Sequence, residues 1–432
     1  MQDAAAALTG KFRRSMIRNM IKELKGKECL ALRALWERVF SEDSRKFTDY
    51  YFEEKAERNR AFVRYPDMDE SEEPAAMDLK SETPAAMLYL SPYAMEMRIG
   101  DTFTSLEINY IVGVATEEKY RHRGYMRELL KASMDYMYEK KQPFSFLMPA
   151  SPKIYEPFQF VYIYNKKKYK VKVLDRQETI KDASSDNSLR PWEISVLQRR
   201  EIPQLLDYAN SHLKENYDVF MRRDEAYYDT LIKELEVQNG VIYLLREPES
   251  KAASHSQELQ TKDRGRKITG YFLYTQEGQE TDIQEALFDD DDFCKKSSFL
   301  VEVEDRPIIM ARIINVKSML SLLRKKTYDA CREEDDSEDV MLTIRINDPM
   351  LEENNGIWEC SVGHGEANVH KRQDAGVEVS CSTTIDRLAS WIFGYRPPED
   401  CFELPQGEQK DIELCKLKAV RLFSRVFINE IV

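Results

Sequence analysis

The chain has 432 residues, a net charge of −13, and 42% hydrophobic and 11% aromatic residues. That length predicts two to three domains, each able to bury its own core, and the apolar content excludes general disorder. The acidic balance argues against nucleic acid as a partner and suits cationic substrates.

Residues 8–26 form a basic amphipathic segment, with Phe12, Met16, Ile17, Met20, Ile21 and Leu24 on one side and Arg13, Arg14, Arg18, Lys22 and Lys25 elsewhere. A packing helix, or an extension ahead of a start at Met16 or Met20, is preferred to a membrane-surface helix. Helical stretches follow at 30–40 and 47–62, then the acidic run Asp67 to Glu73 and strands at 86–90 and 92–98. Glu107 to Ala115 is strand-like, and after the Gln142-Pro143 break Phe144 to Met148 reads as the next strand.

Between these strands lies a turn in which Arg121, His122 and Arg123 precede Gly124, and then a helix whose Met126, Leu129, Leu130, Met134 and Met137 recur at helical spacing. The first amides of a helix lack intrahelical partners and sit at the positive end of its dipole, so an anion docks there. A glycine lets the backbone approach that anion, and the basic side chains add charge around it. With a single glycine the turn is neither a dinucleotide fingerprint nor a Walker loop.

Arg121-His122-Arg123-Gly124-Tyr125-Met126 resembles the acetyl-CoA pyrophosphate loop of GNAT acyltransferases, in which Arg or Gln, two residues, Gly and one residue precede a Gly or Ala. Met126 departs from that last position. A large residue there, together with Ala150 to Phe160 and its Ile154, Tyr155 and Phe158, resembles the Eis (enhanced intracellular survival) type. The resemblance implies that acetyl-CoA is held by Val114, Ala115, Thr116, Arg121, His122, Arg123, Gly124, Tyr125, Met126 and Arg127, with Ala150 and Ser151 at the end of the next strand. It implies Tyr155 as the general acid for the leaving thiolate, and the terminal carboxylate, here on Val432, as the base for the acceptor amine. Glu107 is the fallback base, since other GNAT enzymes use a carboxylate on that strand.

The lysine triplet 166–168 reads as a charged strand edge in preference to a contact for a 3′-phosphate, and Asp182 to Asn187 with Arg190-Pro191 as a linker. Residues 192 to about 303 look like a second α/β unit, with helices at 200–214 and 224–236, strands at 241–245 and 268–274, and a polar insert from Glu247 to Arg266. The run Asp289 to Asp292 reads as a solvated surface, not a calcium loop. A third unit has strands at 307–314, 341–346, 356–362 and 377–381 and a helix at 385–393. By the resemblance, the second unit is a GNAT-like domain that has lost its cofactor, and the third is sterol-carrier-like.

Seven cysteines, at 29, 294, 331, 360, 381, 401 and 415, form no Cys-x-x-Cys pair and no cluster with the five histidines, so no metal and no disulfide framework are assigned. No secretory signal or long apolar span is visible, which predicts a cytoplasmic protein with no membrane span. The expected fold class is α/β (α+β): a basic extension over 1–27, a catalytic GNAT domain over 28–180, a degenerate GNAT-like domain over 181–304 and a sterol-carrier-like domain over 305–432. The expected activity is acetyl transfer from acetyl-CoA to a primary amine, either a small polycationic amine, an aminoglycoside-like compound or a lysine. The family resemblance implies a homo-oligomer, a hexamer. Two other readings stand beside it: a non-catalytic acyl-CoA-binding regulatory protein, and lipid carriage by the C-terminal domain.

Overall fold

A computed structural model describes residues 20–67, 83–171, 193–246, 266–277, 280–290, 293–296, 300–327, 338–373 and 379–430. The fold is mixed α/β, and its contacts group into two compact units. One comprises the residues up to Ile163 with Ile309–Ser424; the other comprises Tyr164–Ile308 with the tail that starts at Arg425.

In the first unit, β1 (Ile21–Lys25), β2 (Arg60–Arg64), β3 (Ala86–Ile99) and β4 (Thr102–Thr116) follow one another as antiparallel neighbours, and β5 (Phe144–Leu147) joins β4 in parallel. The strand Arg306–Ile313 then pairs antiparallel with β5, Met310 opposite Leu147 and Ile313 opposite Phe144. The crossover from β4 to β5 is the helix Tyr125–Glu139, as a parallel pair requires. It buries Leu129, Leu130, Met134 and Met137. Burial of each such side chain contributes about 1.5–3 kcal/mol, so the helix is anchored along its length.

The C-terminal part of this unit has a smaller sheet. Asn368–Arg372, Gly356–Val362 and Val340–Asn347 are antiparallel neighbours, and Cys381–Thr384 lies parallel to Val340–Asn347. Val340, Leu342, Ile344 and Ile346 point inward at period two, and the helix Ile385–Ile392 buries Leu388, Trp391 and Ile392. The second unit has a four-stranded antiparallel sheet, Glu280–Phe288, Ile268–Glu277, Val241–Arg246 and Glu193–Val196 in that order. With it go the helices Ile202–Asn216 and Glu225–Val237, and a short parallel pair in which Val426 and Phe427 lie beside Val219 and Phe220.

Several sequence expectations are corrected. Ile21–Lys25, read as part of a helical segment, is the strand paired with Arg60–Arg64; residues 8–19 lie outside the described residues. The helix expected over 47–62 stops at Arg58, and Arg60–Arg64 is strand. The strands expected at 86–90 and 92–98 are one continuous strand. Glu280–Phe288, Asn368–Arg372 and the helix Glu408–Lys418 had no counterpart in the sequence reading. Of the strand expected over 377–381, residues 377 and 378 lie outside the described residues, and the strand here is Cys381–Thr384. The expected linker at 182–191 and most of the 247–266 insert lie outside the described residues, as do Asp291 and Asp292 of the acidic run. Among the described residues no helix is long and apolar enough to cross a membrane.

Candidate active site

The site begins where β4 and β5 part. They are in register at Tyr110 and Phe146, and among the described residues no further pair joins them beyond that point. The cause is visible in the pairing of β3 with β4, where Met87 faces Ala115 but Tyr89 faces Val112, so β4 carries an extra residue around Gly113 and Val114. Gly113 has φ +60°, and a Cβ there would lie 2.5 Å from Cζ3 of Trp36. A bulge built on a left-handed glycine bends its strand and raises the local twist. Val114, Ala115 and Thr116 and, across the gap, Ala150 and Ser151 follow the end of the shared pairing, where a ligand's amides can add to a strand edge.

Beyond β4 the chain makes one 3-10 turn, Glu118–Tyr120, and the exposed run Arg121 to Gly124. The Arg121 Nε donates to the Thr116 carbonyl at 3.4 Å, tying the turn back to the strand. His122 and Gly124 both have positive φ, +64° and +85°. A Cβ at Gly124 would meet nothing within 4 Å, so the glycine serves the left-handed backbone. Among the described residues no side chain caps the helix that starts at Tyr125, so its first amides are left to a ligand or to water.

The helix start is fixed from behind by an unforeseen cluster. Arg64 is buried; its Nε donates to Glu128 Oε2 at 2.8 Å, its other nitrogens bond the Asp67 carboxylate and the Tyr65 carbonyl, and its guanidinium lies 4.4 Å from the centre of the Tyr125 ring. The Tyr125 hydroxyl donates to Asp67 Oδ2 at 3.0 Å. Against the burial that raises it, hydrogen bonds from Arg64 and Tyr125 hold the Asp67 carboxyl below its ordinary range. Tyr125 therefore turns its ring inward and offers a phosphate only its backbone amide. Met126 is half-buried, and Arg127 is exposed, its guanidinium 5.7 Å from the Phe158 ring.

That contact brings the first turn of the helix beside the Tyr155 segment. Pro152–Tyr155 is a single helical turn, with proline at a position whose missing N–H costs nothing. Tyr155 is 8% exposed, its ring edge-on to Phe160 at 6.0 Å, and its hydroxyl has no hydrogen-bond partner among the described residues. Burial pushes its phenol up to about 12. Glu107 stands exposed on β4, opposite Ala94 and ahead of Tyr110, on the far side of the point from which the strands separate. Val432 lies outside the described residues; the tail before it, from Arg425 to Glu430, belongs to the second unit.

Gly113 carries a signal in the sequence and Arg64 does not. An isolated glycine within a strand pattern marks a bulge, whereas a lone arginine on a short strand gives no sign that it is buried.

Residues 20–163 match the family described as acetyltransferase (GNAT) domain, and residues 319–426 match the sterol carrier protein domain. Among solved structures, a GCN5-related N-acetyltransferase from Anabaena variabilis is similar at 14% identity, with 95% of this chain and 100% of that chain covered and a TM-score of 0.66. A conserved protein of unknown function from Enterococcus faecalis, described as a probable N-acyltransferase, is 14% identical, with 94% of this chain and 97% of that chain covered and a TM-score of 0.66. Eis1 from Mycobacterium abscessus is 10% identical, with 95% and 100% covered and a TM-score of 0.59. At such identities the likeness is one of fold. No curated protein matches. The splayed strands and uncapped helix thus lie in a GNAT acetyltransferase domain, joined in this chain to a sterol carrier protein domain, and the protein is an enzyme of the acyltransferase class.

Proposed function

We propose that the protein is an N-acetyltransferase that moves acetyl from acetyl-CoA to a primary amine, with Tyr155 as general acid. The observation that carries this is the conjunction, within one unit, of the gap between β4 and β5, the uncapped helix behind Gly124, and a buried tyrosine beside that helix's first turn. The residues fit the cofactor: the amides of Tyr125, Met126 and Arg127 and the side chains of Arg121, His122 and Arg123 suit a pyrophosphate, and the edges at Val114 to Thr116 and at Ala150 and Ser151 suit a peptide-like arm. Acetyl-CoA would supply the thioester that makes the acyl group transferable.

Tyr155 must hold a proton at its hydroxyl and give it, or a hydrogen bond, to the departing sulfur. Burial keeps the phenol protonated at every physiological pH. A free thiol has a pKa of about 8.5, to which a phenol near 12 would transfer its proton uphill. The same burial raises thiols: Cys29 is pushed up to about 11 and Cys360 to about 12 in this chain. A sulfur anion forming beside Tyr155 would be disfavoured by the same desolvation, which narrows that gap.

The base in this reading is the carboxylate at Val432, as the Eis resemblance implies, and the acceptor is a small polycationic amine, an aminoglycoside-like compound or a lysine. The assay is thiol release from acetyl-CoA by the purified protein across a panel of primary amines. Release must require both partners and fall with Tyr155→Phe; release independent of amine defeats the reading.

A further inference from the structure

The Arg306–Ile313 strand, beside β5, carries a fully buried arginine. The Arg312 and Asp348 side chains are both 0% exposed and ion-paired. Asp348 follows the Val340–Asn347 strand of the sterol-carrier-like module, where its Oδ1 accepts the amides of Met350 at 2.8 Å and Leu351 at 3.0 Å, and its Oδ2 accepts Asn354 Nδ2 at 2.9 Å. Asn354 in turn accepts the Val316 amide at 3.1 Å and donates to the Ile314 carbonyl at 2.9 Å. The aspartate is thus held by the module itself, and it aims the guanidinium.

Arg312 uses its remaining donors on two carbonyls: Nη1 donates to Ile313 O and Nε to Phe158 O, both at 2.8 Å. Phe158 closes the turn that holds Tyr155. The Gln159 amide donates to Glu156 O at 2.9 Å and the Phe160 amide to Tyr155 O at 3.3 Å, with Gln159 left-handed at φ +59°. The turn is closed by its own bonds, and Arg312 fixes its carbonyl from outside.

A buried ion pair is a poor source of stability, because desolvation offsets its attraction and an apolar pair of like volume often does as well or better. What a guanidinium supplies that an apolar pair cannot is direction, a planar fork of donors held at set angles. We propose that Arg312, aimed by Asp348, is a positioning residue for the general acid: the sterol-carrier-like module braces the Tyr155 turn through the Phe158 carbonyl. The inference rests on the reading of Tyr155 as the acid. It gives the C-terminal module a part in acyl transfer that needs no bound lipid.

The test compares Arg312→Lys, the paired change Arg312→Met with Asp348→Leu, Tyr155→Phe, and each Arg312 change combined with Tyr155→Phe. Each is assayed with acetyl-CoA and the best amine of the panel, and checked by thermal unfolding. The paired change leaves no lone buried charge but takes the acceptor from the Met350 and Leu351 amides and from Asn354 Nδ2, so its Tm is expected to fall. Below that Tm, where the variant is folded, its kcat is expected to fall about 10- to 100-fold, the loss that goes with a displacement of about 1 Å, while KM for acetyl-CoA holds. Arg312→Lys keeps the charge opposite Asp348 but not the second donor, and is expected to lower kcat by a smaller factor; it carries the test if the paired variant unfolds. In the Tyr155→Phe background neither change should cost anything further. A folded variant with unchanged kcat, or a full additional loss on top of Tyr155→Phe, overturns the brace. Tyr155→Phe with unchanged kcat is a separate failure, of the acid itself, visible before Arg312 is altered.

Discussion

Burial at Tyr155 keeps its phenol protonated. Tyr155→Phe keeps the ring and its contact with Phe160, so folding should be untouched while kcat falls by about 100-fold or more and KM for acetyl-CoA stays within about two-fold. Steady-state kinetics at saturating amine decide this, and a rise in KM alone would falsify the assignment. With its phenol near 12, Tyr155 should also contribute no alkaline limb to the kcat profile below about pH 10. The role proposed for Tyr155 comes from the resemblance carried by Ile154 and Phe158 and from its place one loop after the strand that follows the phosphate turn, because a buried tyrosine has no composition signal of its own.

Glu430 is a residue whose charge decides a second outcome. It is buried with Glu285 around one cation, Arg223, which donates at 2.8 Å to each carboxylate. Tyr227 also donates to Glu430 at 3.2 Å. One arginine does not neutralise two carboxylates, and burial pushes Glu430 up to about 7 from an ordinary 4.5. A folded-state pKa above the unfolded one means that the folded protein binds the proton more tightly. This contribution is therefore complete below about pH 4.5 and lost as pH rises through 7, at most about 3 kcal/mol for the second unit. Glu430→Gln should flatten that slope, leaving the variant more stable than the parent at pH 8 and no better at pH 5. Denaturant titration at the two pH values measures it; an unchanged slope sinks the idea.

At the scale of elements, two glycines show what the chain pattern revealed and what it hid. Gly124 was legible because basic residues, a glycine and a helical stripe stand in order, and each has its own physical cause. Gly124→Ala meets open space but keeps φ +85°, so it should cost about 1–2 kcal/mol and raise KM for acetyl-CoA several-fold as the turn relaxes. At Gly113, φ +60° combines with Trp36 atoms at 2.5 and 3.3 Å from the new Cβ, so Gly113→Ala should destabilise by more than Gly124→Ala. Thermal unfolding of the two variants side by side gives the order, and the reverse order would refute the bulge argument. Other elements were hidden for plain reasons. Ile21–Lys25 is five residues long and finds its partner some forty residues away, so local periodicity could not fix it. The helix Glu408–Lys418 buries only Glu413 and Leu417 and has no apolar stripe to read. Glu280–Phe288 alternates as a strand should, but Glu285 holds an inward position between Ile283 and Leu287. Arg223, some sixty residues earlier, makes that tolerable, together with donors from the Tyr271 hydroxyl and the Asn429 side-chain amide.

For the molecule as a whole, sequence order and spatial order part company at the tail. The sequence predicted that residues 305–432 would act as one C-terminal piece. Arg425 instead pairs with Asp218 at 2.8 Å, Val426 and Phe427 extend Val219 and Phe220, and Glu430 closes on Arg223, all within the unit formed by Tyr164–Ile308. Apolar Val426 and Phe427 signalled that the tail packs somewhere, but which surface receives them depends on charges two hundred residues upstream. The second unit therefore lacks a strand, the buried partner Glu430 of Arg223 and the exposed partner Arg425 of Asp218 until residue 430 has been made. Removing residues 425–432 should leave Arg223 and Glu285 paired, but with the arginine's second fork open to water. Amide exchange at Val219–Met221 should then speed by at least ten-fold, while the helix Tyr125–Glu139 keeps its protection. Hydrogen exchange followed by peptide mass spectrometry reads both regions in one experiment. If the Val219–Met221 peptide is as protected without the tail as with it, the tail is an appendage and not a part of that unit's core. If Tyr125–Glu139 loses protection in equal measure, the two units do not respond separately to loss of the tail.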